Sequence, residues 1–346
     1  MYEVDFLPVE NEDGDSSKSG DAIALRFTVA TQSNPAVVVV DGGFGPVGDA
    51  LVDHVEQYYG TSNIDLVIST HPDTDHINGL IKVLERCQVG ELMMHLPWLH
   101  NASASSLGNY EKIVQLYDLA VEKGVTVTEP FTGTARFGEA LRILGPSKGF
   151  YEEQLAEAVA AASETAALSA RSFGATLLAK ATKLLERTRS LFPVETLTDA
   201  DETSARNKMS VVTLVQVDGE NFMLTGDAGI PTLNEAAEEY ERVVGPFSSY
   251  PLTLFQAPHH GSHRNLGPAI LDRILGPKDA AFNSTLALIS SAKASEKHPS
   301  PKVTNALGRR GAIVAATEGR TITHMTGHRD GWGPITPIGP LEEEDL

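Results

Sequence analysis

The sequence predicts an α/β protein with an αββα sandwich: two β-rich halves packed together, with helices on the outside. Apolar strand-like runs alternate with helical stretches in two separate parts of the chain, the first closing at Gly145-Pro146. The second part opens on a hairpin, with strands at 211–217 and 221–225 joined through Asp218-Gly219, a strong two-residue turn signal. Between the two, residues 151–191 break the pattern. They are rich in Ala, Leu, Glu, Lys and Arg and contain one glycine, so they read as a helical insertion.

In order, residues 23–30 and 37–40 read as adjacent strands around the turn Thr31-Gln-Ser-Asn-Pro35. Asp41-Gly-Gly43 ends the second, and a helix over 48–59 leads to a strand at 65–69. Helix 77–86, strand 91–95, helix 109–123 and strands 125–128 and 140–144 complete the first half. After the hairpin come helix 231–243, strand 252–256, helix 267–275, strand 285–290, helix 301–309 and two short strands ending near Met325. The chain of 346 residues reads as one domain, 1–346, with an insertion at 151–206 and an acidic tail at 340–346.

Composition narrows the class. The hydrophobic content of 41% suits a sizeable core. No apolar run reaches membrane-spanning length, and the amino terminus has no signal-like basic and apolar regions, so no membrane partner is expected. The single cysteine, Cys87, allows no internal disulfide and suits the cytoplasm. A net charge of −19 repels phosphate backbones at long range, so any grip on nucleic acid must be local or carried by cations.

The chemistry concentrates in His71-Pro-Asp73-Thr-Asp75-His76, four metal-binding side chains within six residues. The stretch lies between a buried strand and a helix. So many acids and imidazoles are costly to hold together unless cations neutralise them. Two further strands end in Gly226-Asp227 and in Pro258-His259-His260. Carboxylates and imidazoles at several strand ends converge on one sheet edge, which points to a metal site with two ions.

In these segments the chain resembles the metallo-β-lactamase superfamily, and within it the branch containing the soluble domain of the DNA-uptake protein ComEC. The matching residues are Asp41, the His71-x-Asp73-x-Asp75-His76 loop, Asn207-Lys-Met-Ser210, Thr225-Gly-Asp227, Ala257-Pro-His-His-Gly-Ser262 and His298-Pro299. They span roughly residues 20–325 apart from the insertion. The resemblance implies an αββα sandwich of the metallo-β-lactamase type and two divalent ions. It gives the first ion His71, Asp73 and the bridging Asp227, and the second Asp75, His76, Asp227 and, in preference to His260, His259. Many superfamily members have His at the position of Asp73 and a further His where this chain has Asn207-Lys-Met-Ser210. The poorer nitrogen supply moves preference from Zn²⁺ toward Mn²⁺ or Mg²⁺, with Mn²⁺ expected slightly ahead of Zn²⁺.

The implied activity is water activation by two ions for hydrolysis of a phosphodiester, with DNA or RNA as the leading substrate. A cyclic or short nucleotide, an ester or lactone, and a non-catalytic metal-stabilised scaffold are the alternatives. Asp75 and His298 are assigned to catalysis, His298 as proton donor or phosphate holder. Asp41 is expected to buttress the loop from behind. His260, Asn207, Ser210, Ser262 and Lys293 are possible ligands or substrate contacts, with Ser290 and Ser291 near them. His95 and His100 are expected in packing or surface roles, and His324 and His328 in structural ones. From Arg171 to Arg189 the insertion carries five basic residues against Glu186, a local +4, which reads as a solvated face or a guide for an anionic polymer. Gly43-Phe-Gly45-Pro-Val-Gly48 matches a dinucleotide fingerprint, but Asp65 starts its strand, whereas a ribose-binding acid should end one.

Overall fold

Two seven-stranded sheets stack with helices outside, the αββα sandwich expected from the sequence. The computed structural model describes residues 1–11, 17–171, 195–278 and 284–342. β1 (Tyr2–Phe6), β2 (Ala22–Phe27), β3 (Ala36–Gly42), β4 (Asn63–Ile68), β5 (Gln88–Met93) and β6 (Thr126–Thr128) build the first sheet. β7 (Ala135–Arg136), β8 (Leu141–Gly145), β9 (Val212–Val217), β10 (Glu220–Leu224), β11 (Leu254–Gln256), β12 (Leu286–Ile289) and β13 (Ile313–Ala316) build the second, and β14 (Ile322–Met325) returns to pair with β1. β1 was not anticipated, because its fourth residue, Asp5, is a fully buried acid that breaks the apolar run.

Parallel pairing is concentrated where the ligand candidates lie. β3, β4 and β5 run parallel, as do β10, β11 and β12, so their carboxyl ends share one direction within each sheet. Phe6, Leu25, Val38, Ile68, Val215, Phe222, Leu254 and Leu288 fill the space between the sheets. Outside the first sheet pack α1 (Gly45–His54), α2 (Thr74–Arg86) and α3 (Tyr110–Glu122), whose apolar stripes cover Val39, Val67 and Leu92. Burial of each such aliphatic side chain contributes about 1.5–3 kcal/mol.

The last glycine of the dinucleotide-like stretch, Gly48, has a packing explanation. A Cβ on Gly79 of α2 would sit 1.8 Å from the Gly42 carbonyl oxygen, and one on Gly48 of α1 would sit 2.3 Å from that of Gly79. Glycine lets α1, α2 and the end of β3 touch backbone to backbone.

The insertion begins with one continuous helix, α4 (Lys148–Arg171), whose Tyr151, Leu155 and Val159 pack with Leu107 and Met209. Lys180, Lys183, Arg187 and Arg189 lie outside the described residues, as do 343–346 of the tail. Late in the insertion the chain is pinned by Glu195, which accepts from the fully buried Arg310 at 2.6 Å. Leu341 in the tail is held by Asn305, its N–H donating at 2.9 Å. Among the described residues no helix is long and apolar enough to cross a membrane.

Candidate metal centre

The site is assembled from the strand ends. β4 ends at Ile68 and the chain continues through Ser69 and Thr70 to His71. α2 starts at Thr74, three residues before the expected boundary, so Asp75 and His76 occupy its first turn. Asp73 takes the N-cap position but makes no capping hydrogen bond; its carboxylate pairs with Arg206 instead. From the second sheet, β10 delivers Asp227 through Thr225-Gly226. Gly226 has φ 50°, and a Cβ there would lie 2.8 Å from the Thr70 hydroxyl, so the two sheets' ligand loops are in contact.

β11 delivers His259 and His260 through a left-handed turn, with φ of 50° and 57° followed by Gly261 at 76°. Left-handed backbone is uncommon for non-glycine residues and is a recurrent feature of functional sites. The turn is held by the His259 N–H to the Gly226 carbonyl at 3.0 Å and the Ser262 N–H to the His259 carbonyl at 3.0 Å.

Asp227 is the centre of the cluster. His76 Nε2 is 3.4 Å and His260 Nε2 3.8 Å from its Oδ1. His71 Nε2 and His259 Nε2 are each 3.5 Å from its Oδ2. Asp75 Oδ2 stands 3.6 Å from His260 Nε2 and 4.0 Å from His76 Nε2, and Asp73 Oδ2 is 3.9 Å from His71 Nε2. Burial raises the Asp227 pKa, but the surrounding imidazoles His259, His76, His71 and His260 outweigh it and hold the carboxyl well below the usual range.

This spacing tests the fit of a metal. Two bonds of about 2.1 Å to one cation put donor atoms roughly 3–4 Å apart, beyond a direct hydrogen bond. His71 Nε2, His76 Nε2, His260 Nε2 and Asp227 Oδ1 are all buried and have no hydrogen-bond partner among the described residues. The residues fit divalent cations.

Residues 29–148 match the family model described as the metallo-beta-lactamase superfamily. The fold is accordingly of the metallo-β-lactamase type. Similar solved structures include the metallo-beta-lactamase fold protein YhfI from Bacillus subtilis, at 11% identity and TM-score 0.43, covering 94% of this chain and 100% of that one. A diphosphatase of the PhnP family is 11% identical with TM-score 0.40, covering 94% and 98% of the two chains. A long-form RNase Z from yeast is 11% identical with TM-score 0.38; 92% of this chain is covered but only 37% of that one. A search of curated proteins found no match.

Within this metallo-β-lactamase-type edge, Asp41 stands behind the ligands. Fully buried, it accepts from His76 Nδ1 at 2.8 Å, the Thr70 N–H at 2.8 Å and the Thr70 hydroxyl at 2.6 Å. That fixes the His76 ring with Nε2 toward Asp227. Asn207 also reaches the cluster, its amide donating to Asp227 Oδ2 at 3.3 Å and lying 3.2 Å from His259 Nδ1.

Beside Asp75 and His76 the structure places His260, where the sequence reading preferred His259. His260, 4% exposed, is the imidazole grouped with those two residues. His259 turns to the other oxygen of Asp227, opposite His71. Adjacent histidines diverge here because each sits in left-handed backbone, which the sequence does not announce. Two imidazoles, His71 and His259, thus face Oδ2 of Asp227.

The remaining candidates divide. His298 stacks on His259, with ring centroids 5.9 Å apart, and its Nδ1 is buried without a hydrogen-bond partner among the described residues. Burial, with the neighbouring His260 and His259, lowers its pKa to about 3. The Ser262 hydroxyl accepts the Arg264 N–H at 3.3 Å, a turn contact. Ser210 is fully buried, and its hydroxyl and those of Ser290 and Ser291 have no hydrogen-bond partner among the described residues. Lys293 is exposed, its backbone N–H taken by Glu10. His100 pairs with Glu129 and Glu152, and His324 with the Tyr2 hydroxyl. His328 is exposed. His95 lines a small cavity beside His71 and stacks on Tyr151.

Three contributors escaped the sequence reading. Arg206 meets Asp73. Asn265, fully buried, lies 3.0 Å from His259 Nδ1 and donates to the Asp227 carbonyl at 2.9 Å. Asp21 precedes β2 and groups with Asp227 and His260. Arg206 and Asn265 adjoin motif residues, and proximity to Asn207 and Ser262 was the available signal. Asp21 offered no local pattern.

Proposed function

We propose that this edge holds two divalent cations and that the protein is a metal-dependent hydrolase of phosphodiesters. The observation that carries the reading is the division of four imidazoles between the two oxygens of Asp227, with buried, unpartnered donor atoms facing one another. His71, Asp73, Asp227 Oδ2 and His259 would hold one ion; Asp75, His76, Asp227 Oδ1 and His260 would hold the other. Each set combines two imidazoles with two carboxylates, a donor mixture that suits Mn²⁺ or Zn²⁺.

Two such cations supply an activated water and neutralise charge on the phosphoryl oxygens. The chain's own groups do the positioning. Asp227 spans both sides, Asp41 and Thr70 orient His76, and Asn265 orients His259. His298, beside His259 and kept neutral by its lowered pKa, is placed to hold a phosphate oxygen through a ring N–H. Asp73 and Asn207 at their positions favour the ComEC-like branch over superfamily members that carry histidine there.

The net charge of −19 favours a second reading on substrate size, a cyclic or short nucleotide in place of a long polymer. Residues 1–346 form one hydrolase domain in this proposal, with 151–206 as an insertion beside the site. The deciding experiment is a panel of single-stranded DNA, RNA, cyclic dinucleotides and simple carboxylic esters, each with added Mn²⁺ or Zn²⁺. Phosphodiester cleavage that stops with chelator is expected. Turnover of esters alone, or of nothing in a protein loaded with metal, would overturn it.

A further inference from the structure

Asp21 is a buried acid with no evident structural duty. It is 1% exposed, and neither carboxylate oxygen has a hydrogen-bond partner among the described residues. Its backbone is firmly placed, the N–H donating to the Asp75 carbonyl at 3.2 Å and the carbonyl accepting from the Gly43 N–H at 2.7 Å. A Cβ on the preceding Gly20 would lie 2.3 Å from the Asp75 carbonyl oxygen, so glycine permits this close approach to the ligand loop. Asp21 Oδ2 is 3.7 Å from His76 Nδ1, but that nitrogen already has Asp41 at 2.8 Å. Asp21 is therefore not needed to orient His76. An oxygen of Asp21, one of Asp227 and a ring nitrogen of His260 all lie within 4.8 Å of one another.

A carboxylate buried without a hydrogen-bond partner among the described residues is unfavourable. Nearby cationic charge would remove the cost. We propose that Asp21 is a further ligand on the Asp75–His76–His260 side, bringing a third carboxylate to one of the two cation positions. The proposal rests on the two-ion reading above. It makes the two positions chemically unequal: an oxygen-rich position selects a hard ion of the Mn²⁺ type, and its neighbour, with two imidazoles and two carboxylates, accepts Zn²⁺ more readily.

The test compares wild type with Asp21→Asn, which keeps the shape and removes the charge, and with Asp21→Ser. Mn²⁺ affinity is measured by competition against a chelating dye, and thermal unfolding is followed in EDTA and in Mn²⁺. The expected result is a weakening of one of two Mn²⁺ sites by at least tenfold. In EDTA the melting temperature should hold or rise, since an unpartnered buried acid has gone, while the increase brought by Mn²⁺ shrinks. Unchanged Mn²⁺ affinity in both variants overturns the proposal. An equal fall in melting temperature in EDTA and in Mn²⁺ also overturns it, because that marks a structural acid. Wild-type protein that takes up no ion overturns the two-ion reading itself, a different failure from loss of the Asp21 effect alone.

Discussion

Two buried acidic clusters in this molecule behave in opposite ways. Asp5, in β1, is fully buried and accepts from His54 Nε2 at 2.9 Å, the Tyr59 hydroxyl at 2.8 Å, Arg329 at 3.1 Å and 3.2 Å, and the Thr323 hydroxyl. At the strand ends, Asp227 is equally enclosed, yet its imidazole neighbours stand at 3.4–3.8 Å. The first cluster is closed, with charges and donors in direct contact. The second is spaced for something between its members. Buried acids alone do not mark a site; the gap between opposed donors does.

The largest effect follows from that gap. Asp227→Ala removes the carboxylate shared by both sides, so elemental analysis should find most of the bound metal gone from a chain that otherwise carries close to two ions. Retention of both would end the bridging assignment. Next, the pair Asp75→Ala and His76→Ala should abolish hydrolysis, leaving the circular dichroism spectrum near that of wild type, because neither side chain belongs to the apolar packing between the sheets. More than about a tenth of wild-type turnover would mean that water is activated elsewhere.

The two adjacent histidines sharpen the comparison further. His260 is buried beside Asp75, and His259 is a third exposed with Asn207 and Asn265 beside it. His260→Ala is expected to release the ion on the Asp75–His76 side, and His259→Ala the ion on the His71–Asp73 side. The reverse assignment would restore the pairing expected from sequence. His298→Ala should lower turnover by about 10²-fold with metal content intact, and full turnover would reduce it to a packing residue.

The legible part of the site was contiguous. His71 to His76 could be read because one loop carries its donors at alternating spacing, and Asp227 because Gly-Asp closes an apolar strand. The sandwich was legible from the alternation of strands and helices and from the Asp218-Gly219 turn. What stayed hidden depends on contacts between distant segments. Asp21 meets Asp227 and His260 only because β2 pairs with β3 and the sheets stack. The split of His259 from His260 depends on backbone angles. The helix boundary at Thr74 was missed because Thr74, Asp75 and His76 interrupt the apolar period that Ile77 begins.

The smallest effect tests the closed cluster. Burial raises the Asp5 pKa, but hydrogen bonds and charge from His54, Arg329 and Thr323 outweigh it, so the folded value lies below the ordinary one. An acid with a lowered folded pKa contributes stability that is present above its unfolded value of about 3.9 and is lost as pH falls through the folded value. Asp5→Asn should therefore cost about 3 kcal/mol at neutral pH, since it leaves Arg329 and His54 facing a neutral amide in a buried site. Denaturant unfolding of both proteins from pH 7 to pH 3 should show the difference narrowing on the acid side as Asp5 itself becomes protonated. Metal content at neutral pH should be unaffected, because Asp5 is satisfied by its own partners and belongs to no cation position. A difference that is constant with pH would mean that shape rather than charge is lost, and a fall in bound metal would mean that the two clusters are coupled through β1 and β2.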